Sequence, residues 1–254
     1  MSQSEIQTSG SLELLSRAAA QIFLELSRER LKQGKTFAVA LSGGKTPQTF
    51  LEMLASPEFA GQIPWESTHL FQVDERCVPP DDPESNYRMI HETLLSSIPN
   101  AANHFHRMRA EQPNLEEASQ EYESELGKML APAGQAAPRF DLIFLGMGSD
   151  GHTASLFPGS AALTERNRWV CPNYVERLRM HRLTLTYPVL NAATNVAFLV
   201  SGSGKAEVLR EVLEGPQNPN QYPAQGVNPA NGRLIWYIDE PASHLLRRTA
   251  RNVR

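Results

Sequence analysis

The sequence predicts an α/β protein built on a mostly parallel sheet with helices on both faces. Short apolar runs of strand length alternate with segments of helical period along the chain. The runs are nearly continuous, as in strands buried on both faces, and three of them break near residues 42, 74 and 146 into polar or glycine-rich loops.

From Leu12 to Lys32, apolar residues at Leu12, Leu15, Ala19, Ile22, Phe23, Leu26 and Leu31 keep a helical period, and Gly34 is a natural stop. Phe37 to Leu41 then reads as a buried strand. It leads into Ser42-Gly-Gly-Lys-Thr-Pro47, where Thr46 is placed to cap the next helix and Pro47 to fill its first turn. A strand, a glycine turn and a helix start together form an anion cradle, because unpaired backbone N–H groups converge there. Ser42, Lys45 and Thr46 add donors; the spacing is not that of a Walker A loop, and a tight turn alone would also call for Gly43 and Gly44.

A second strand, Leu70 to Val73, ends in Asp74-Glu75-Arg76. A Pro- and Asp-rich loop follows, then Ser85-Asn86-Tyr87, a cap for a helix through Leu95. His104 and His106 alternate as same-face strand positions, but without a third ligand nearby in sequence they argue little for metal. Asn114 with Glu117 forms a capping pair for a helix to about Leu130, and Ala131 to Pro138 is a small-residue linker.

Phe140 onward is the stretch on which the chemistry turns. An apolar run, Phe140 to Leu145, breaks into Gly146-Met-Gly-Ser-Asp-Gly-His-Thr153, so Asp150 and His152 stand at a strand's C-terminal end, where open α/β sheets bind ligands. A tight turn whose Asp and His satisfy backbone groups is the plainer alternative. Gly146, Gly148 and Gly151 also spell the dinucleotide fingerprint. The pattern fits poorly, because the chain reaches Pro158 within two turns and no acidic residue ends a strand roughly 20 residues on.

Candidate strands at Trp169 to Val175, His181 to Thr186 and Val196 to Val200 follow. The last opens into Ser201-Gly-Ser-Gly-Lys205 and a helix to Leu213, a second glycine turn at a helix start, offering Lys205 to an anion. A final strand, Leu234 to Ile238, gives way at Asp239-Glu-Pro241 to a C-terminal helix ending in Arg247, Arg248 and Arg251.

With 254 residues the chain suits one domain spanning 1–254. Its 24 Lys+Arg against 28 Asp+Glu, net charge −4, and the lack of a basic run argue against nucleic acid or an anionic membrane as partner. Without a leader-like N-terminus or a span of ~20 apolar residues, the expected location is cytoplasmic. Cys77 and Cys171, the two cysteines, agree with a reducing compartment.

Taken together, Leu41-Ser-Gly-Gly-Lys-Thr-Pro47, Val73-Asp-Glu-Arg76, Ser85-Asn-Tyr87, Gly146 to Pro158, Arg182-Leu-Thr-Leu-Thr186 and Gly202-Ser-Gly-Lys205 resemble the 6-phosphogluconolactonase family. That family lies within the larger group that also holds glucosamine-6-phosphate isomerase/deaminases. The resemblance covers nearly the whole chain, and Gly146 to Pro158 is its most specific match. It implies a modified Rossmann-like three-layer α/β/α fold without nucleotide, no cofactor, and hydrolysis of 6-phospho-D-glucono-1,5-lactone in the oxidative pentose phosphate pathway. It points to His152 as catalytic; Asp150 would orient or tune the imidazole. The phosphate would sit on Ser42, Gly43, Gly44 and Thr46, with Lys205 and Arg182 or Arg76 supplying charge, and Asp74 and Asn86 holding sugar hydroxyls. Lys45 departs from the pattern, standing where a small residue is common.

The partner expected is thus a small phosphosugar lactone, bound by a monomer or small homo-oligomer. Two alternatives differ in sequence. Deaminases resemble Asp-Gly-His-Ile-Ala-Phe-Asn-Glu-Pro, with a glutamate where this chain has Phe157. A non-catalytic sugar-phosphate sensor has no need of an Asp/His turn and usually brings a DNA-binding appendage, for which no helix-turn-helix candidate precedes residue 35.

Overall fold

The computed structural model describes residues 4–131, 137–247 and 251–252. In chain order its main elements are β1 (Glu5–Ser9), α1 (Leu12–Lys32), β2 (Phe37–Leu41), α2 (Lys45–Ala55), β3 (Thr68–Gln72), β4 (Asp74–Arg76), α3 (Asn86–Ile90), α4 (Pro99–Asn103), β5 (Phe105–His106) and α5 (Leu115–Leu130). They continue as β6 (Leu142–Gly146), β7 (Val170–Val175), β8 (Met180–Leu185), α6 (Tyr187–Leu190), β9 (Asn195–Val200), α7 (Ala206–Glu214), β10 (Arg233–Asp239), α8 (Glu240–Ser243) and β11 (Arg251–Asn252).

Eight strands form one parallel sheet in the order β11-β1-β10-β9-β6-β2-β3-β5, and β4-β8-β7 form a small antiparallel sheet. The apolar runs are buried on both faces because alternate residues feed two cores. On β6, Leu142 and Phe144 join Phe23 of α1 and Phe50 of α2, while Ile143 and Leu145 join Leu126 of α5, Leu209 of α7 and Leu183 of β8. Phe50 packs 4.2 Å from Phe144, and Phe198 stacks 3.9 Å from Trp236, centroid to centroid.

Chain direction makes the sheet's C-terminal edge a crevice. The segments after β2 and β3 pack on the α1 side, whereas those after β6 and β9 pack on the α5 side. Since β2 and β6 are neighbours, with Leu41 opposite Phe144, the connections diverge between them and leave the gap in which open α/β sheets bind ligands.

Local signals behaved unevenly. Ser11, Ser85 and Asn114 cap α1, α3 and α5, each accepting a hydrogen bond from a first-turn N–H. At α2, however, Gly44 is the cap at φ 109° and Thr46 and Pro47 both lie inside the first turn, since only glycine readily takes that backbone angle. The expected C-terminal helix is short, Glu240–Ser243, capped by Asp239, and Arg251 lies in β11 beside β1. Arg248 and most of the 131–138 linker lie outside the described residues. The sequence reading has no counterpart to β1, because Glu-Ile-Gln-Thr-Ser carries a single strongly apolar residue. His106 is on β5 but His104 precedes it; His106 sits 3.0 Å from His69 and 2.6 Å from Glu125. Among the described residues no helix is long and apolar enough to cross a membrane.

Candidate active site

Four neighbouring strands, β9, β6, β2 and β3, deliver their C-terminal loops to one cavity of about 380 Å³. It brings together Ser42, Gly43, Gly44, Thr46, Asp74, Arg76, Asn86, His152, Arg182 and Lys205, residues up to 163 positions apart. Asp150 is the one sequence-predicted site residue that does not line it, lying behind His152.

After β2 the chain turns at Gly44 and starts α2, leaving first-turn N–H groups facing the cavity. Ser42 is 4% exposed and its Oγ has no partner within the described residues. A Cβ on Gly43 would overlap the Asn86 side chain, so glycine is what lets the two segments meet.

Strand alternation sorts the three charges of β4. Asp74 and Arg76 line the cavity, and Glu75 points away into a buried nest. There it accepts hydrogen bonds from Gln72, Ser85 and the backbone of Arg76, Asn86 and Tyr87, at 2.7–3.1 Å. Burial raises the Glu75 carboxyl above its ordinary range against the pull of those donors. Glu75 thereby ties α3, and with it Asn86, to β4. Asp74 accepts from Ser155 Oγ at 2.6 Å, and Asn86 Nδ2 donates to the Asp74 carbonyl at 3.0 Å.

Arg182 and Lys205 face the same space, beside Lys45 and Arg76. Burial lowers the Arg182 guanidinium and the Lys205 ammonium, opposed by Asp74 and Asp150 respectively, and among the described residues neither makes an ion pair within 4 Å. The Lys205 turn is held from below: Asp239 accepts from Ser201 Oγ at 2.5 Å and from Gly202 N at 3.0 Å. An under-solvated pair of cations beside helix-start amides is a site that an anion would complete.

The Asp/His turn leaves β6 as a loop, not as a helix, which removes the geometry a dinucleotide would need. Gly151 takes φ 79° and Ala154, at the cavity wall, φ 50°. His152 Nδ1 lies 2.5 Å from Asp150 Oδ1; an ionised carboxylate only accepts, so this contact selects the Nδ1–H tautomer and leaves Nε2 as the acceptor. A Cβ on Gly148 would overlap both side chains. Burial alone would raise the Asp150 carboxyl, but the hydrogen bonds from His152 and the charge of Arg177 outweigh it and hold the group at about 2. Phe157 stacks under His152 at 4.0 Å between centroids, with Arg177 and Arg182 over the same ring at 5.0 and 5.3 Å.

This cavity can hold an anion, hydrogen-bond a polyol and present one imidazole as a proton acceptor. The chain matches the family model for glucosamine-6-phosphate isomerases/6-phosphogluconolactonase over residues 10–236. It belongs to that family. The 6-phosphogluconolactonase of Synechocystis sp. is 38% identical over 92% of this chain and 94% of its own. The structure of 6-phosphogluconolactonase from Trypanosoma brucei superposes with a TM-score of 0.85 at 26% identity, covering 97% of this chain and 100% of its own. A monomeric glucosamine-6-phosphate deaminase superposes at 0.78 with 21% identity over 95% and 100% of the two chains, a likeness of fold.

Glu75, Ser155, Arg177 and Asp239 are the supporting residues that the sequence reading did not assign, and Phe157 entered it only as the position that differs from the deaminases. Period-two alternation in Asp-Glu-Arg could have separated Glu75 from its neighbours. Nothing local marks Arg177, which comes from the tip of the β7–β8 hairpin.

Proposed function

We propose that this protein hydrolyses 6-phospho-D-glucono-1,5-lactone to 6-phosphogluconate, with His152 as general base. The observation carrying this reading is that the free nitrogen of a carboxylate-held histidine and a partly desolvated cation pair share one cavity. In it the substrate phosphate rests on Ser42, Gly43, Gly44 and Thr46 against Lys205, with Arg182 or Arg76 completing the charge. Asp74 and Asn86 hold the hydroxyls.

A water molecule attacks lactone C1 while His152 Nε2 takes its proton. The tetrahedral intermediate then collapses, the bond from C1 to the ring oxygen breaks, and the imidazolium returns the proton to that oxygen. Asp150 stabilises the imidazolium between the two transfers. Phe157 supports hydrolysis over deamination, because isomerisation and amine loss need several proton transfers and a phenylalanine moves none. The net charge of −4 and the two free cysteines support a cytoplasmic protein acting on a small molecule.

Purified protein given freshly generated lactone, with 6-phosphogluconate followed by a coupled dehydrogenase and corrected for spontaneous hydrolysis, tests this. Hydrolysis well above background with no ammonia from glucosamine 6-phosphate is expected. Ammonia release without lactone hydrolysis would reverse the assignment.

A further inference from the structure

At the tip of the β7–β8 hairpin, a short 3₁₀ turn at Glu176–Leu178 closes through Arg179 in the left-handed region, φ 49°. This turn carries Arg177 over the back of the Asp/His loop. Its Nη2 lies 2.7 Å from Asp150 Oδ2, while Asp150 Oδ1 holds His152 Nδ1. The same guanidinium lies over Phe157, the ring on which His152 stacks. The contact is an ion pair and not an aligned hydrogen bond, since among the described residues Asp150 Oδ2 has no hydrogen-bond partner, so Arg177 acts on the dyad by its charge at the carboxylate and by its place over the aromatic floor.

We propose that Arg177 is a positioning residue that fixes Asp150 and, through that shared carboxylate, the His152 imidazole. The inference rests on the lactonase reading only for its kinetic test. Its physical basis is competition for one carboxylate: what Asp150 gives to Arg177 it withholds from the imidazolium. Besides Asp150 and Arg177, the charged groups facing this imidazole are Lys205 from the turn after β9, Arg182 from β8, Asp74 and Arg76 from β4, and Lys45 from the start of α2; Tyr222 packs behind on Gly151. Arg177 differs from these cations in pairing directly with Asp150, and with 53% of its side chain exposed it acts through a salt-sensitive contact.

Arg177→Met removes the charge and keeps much of the stem, and Arg177→Lys keeps the charge. The Met variant should lower kcat about tenfold with KM nearly unchanged, and move the acid limb of kcat/KM about half a unit toward higher pH at low salt. The Lys variant should restore the limb and most of kcat. The substrate-free readout is NMR titration of the His152 imidazole, assigned against His152→Ala, where the same upward displacement is expected in Arg177→Met. An unmoved imidazole titration overturns the proposal, as does a rise in KM with kcat kept, which would make Arg177 a substrate contact. If the wild type itself fails to hydrolyse lactone, the lactonase reading fails and the titration still decides the role of Arg177.

Discussion

The imidazole of His152 lies 4.0 Å from the ring of Phe157, with 24° between their planes. A face-to-face neighbour that is 3% exposed keeps water off one side of the imidazole and holds its plane, while the hydrogen bond to Asp150 sets its rotation. Phe157→Leu keeps an apolar floor but loses the stack, worth about 0.5–1.5 kcal/mol. We expect kcat to fall roughly three- to tenfold with KM held, measured by steady-state lactone hydrolysis; a change confined to KM would mean the ring serves binding alone.

Gly148 admits the dyad. A methyl there would overlap His152 and Asp150, so Gly148→Ala should cost on the order of 10²-fold in kcat while the protein stays folded by circular dichroism. Wild-type turnover in that variant would show that the close Asp150–His152 contact is dispensable.

Lys205 stands on a glycine turn held by Asp239. Lys205→Ala should raise KM at least tenfold with a smaller effect on kcat, and inorganic phosphate should compete with substrate in the wild type. Equal efficiency on the unphosphorylated lactone would remove the phosphate from the cradle.

Asp150 links stability to acid. Its folded value, about 2, is below the ordinary carboxylate range, so the native state binds its proton less readily than the unfolded chain. The associated stability is present above about pH 4 and disappears as pH falls toward 2. Asp150→Asn should lose on the order of 1–2 kcal/mol at neutral pH and little at the acid end, as read from urea unfolding at several pH values. A constant difference across that window would assign the loss to packing.

Much of this was legible in the residues. The β2, β6 and β9 strands were plain as unbroken apolar runs, and glycines at their ends marked where the chain leaves the sheet to line the cavity. Most cavity-lining residues assigned from sequence converge because adjacent parallel strands end together, a consequence of topology that the alternating order of elements implies, whereas Arg182 arrives on β8 of the small antiparallel sheet, opposite Arg76. Three features were not legible. Glu75 looked like one charge among three, and only burial shows it as the clamp on Asn86. Arg177 reaches Asp150 across a hairpin whose tip is exposed and locally unremarkable. β1 is a polar pentapeptide whose strand character comes from pairing with β10, a long-range contact that no window of sequence reports.

The central claim is that His152, oriented by Asp150, takes the proton of the attacking water. Single-turnover hydrolysis of fresh lactone by His152→Ala, corrected for the uncatalysed rate, tests it most directly. The account predicts a rate constant lower by on the order of 10²–10⁴ with substrate binding retained, and loss of the acid limb expected of the wild type. A His152→Ala enzyme that turns over at the wild-type rate, or keeps that limb, would contradict it.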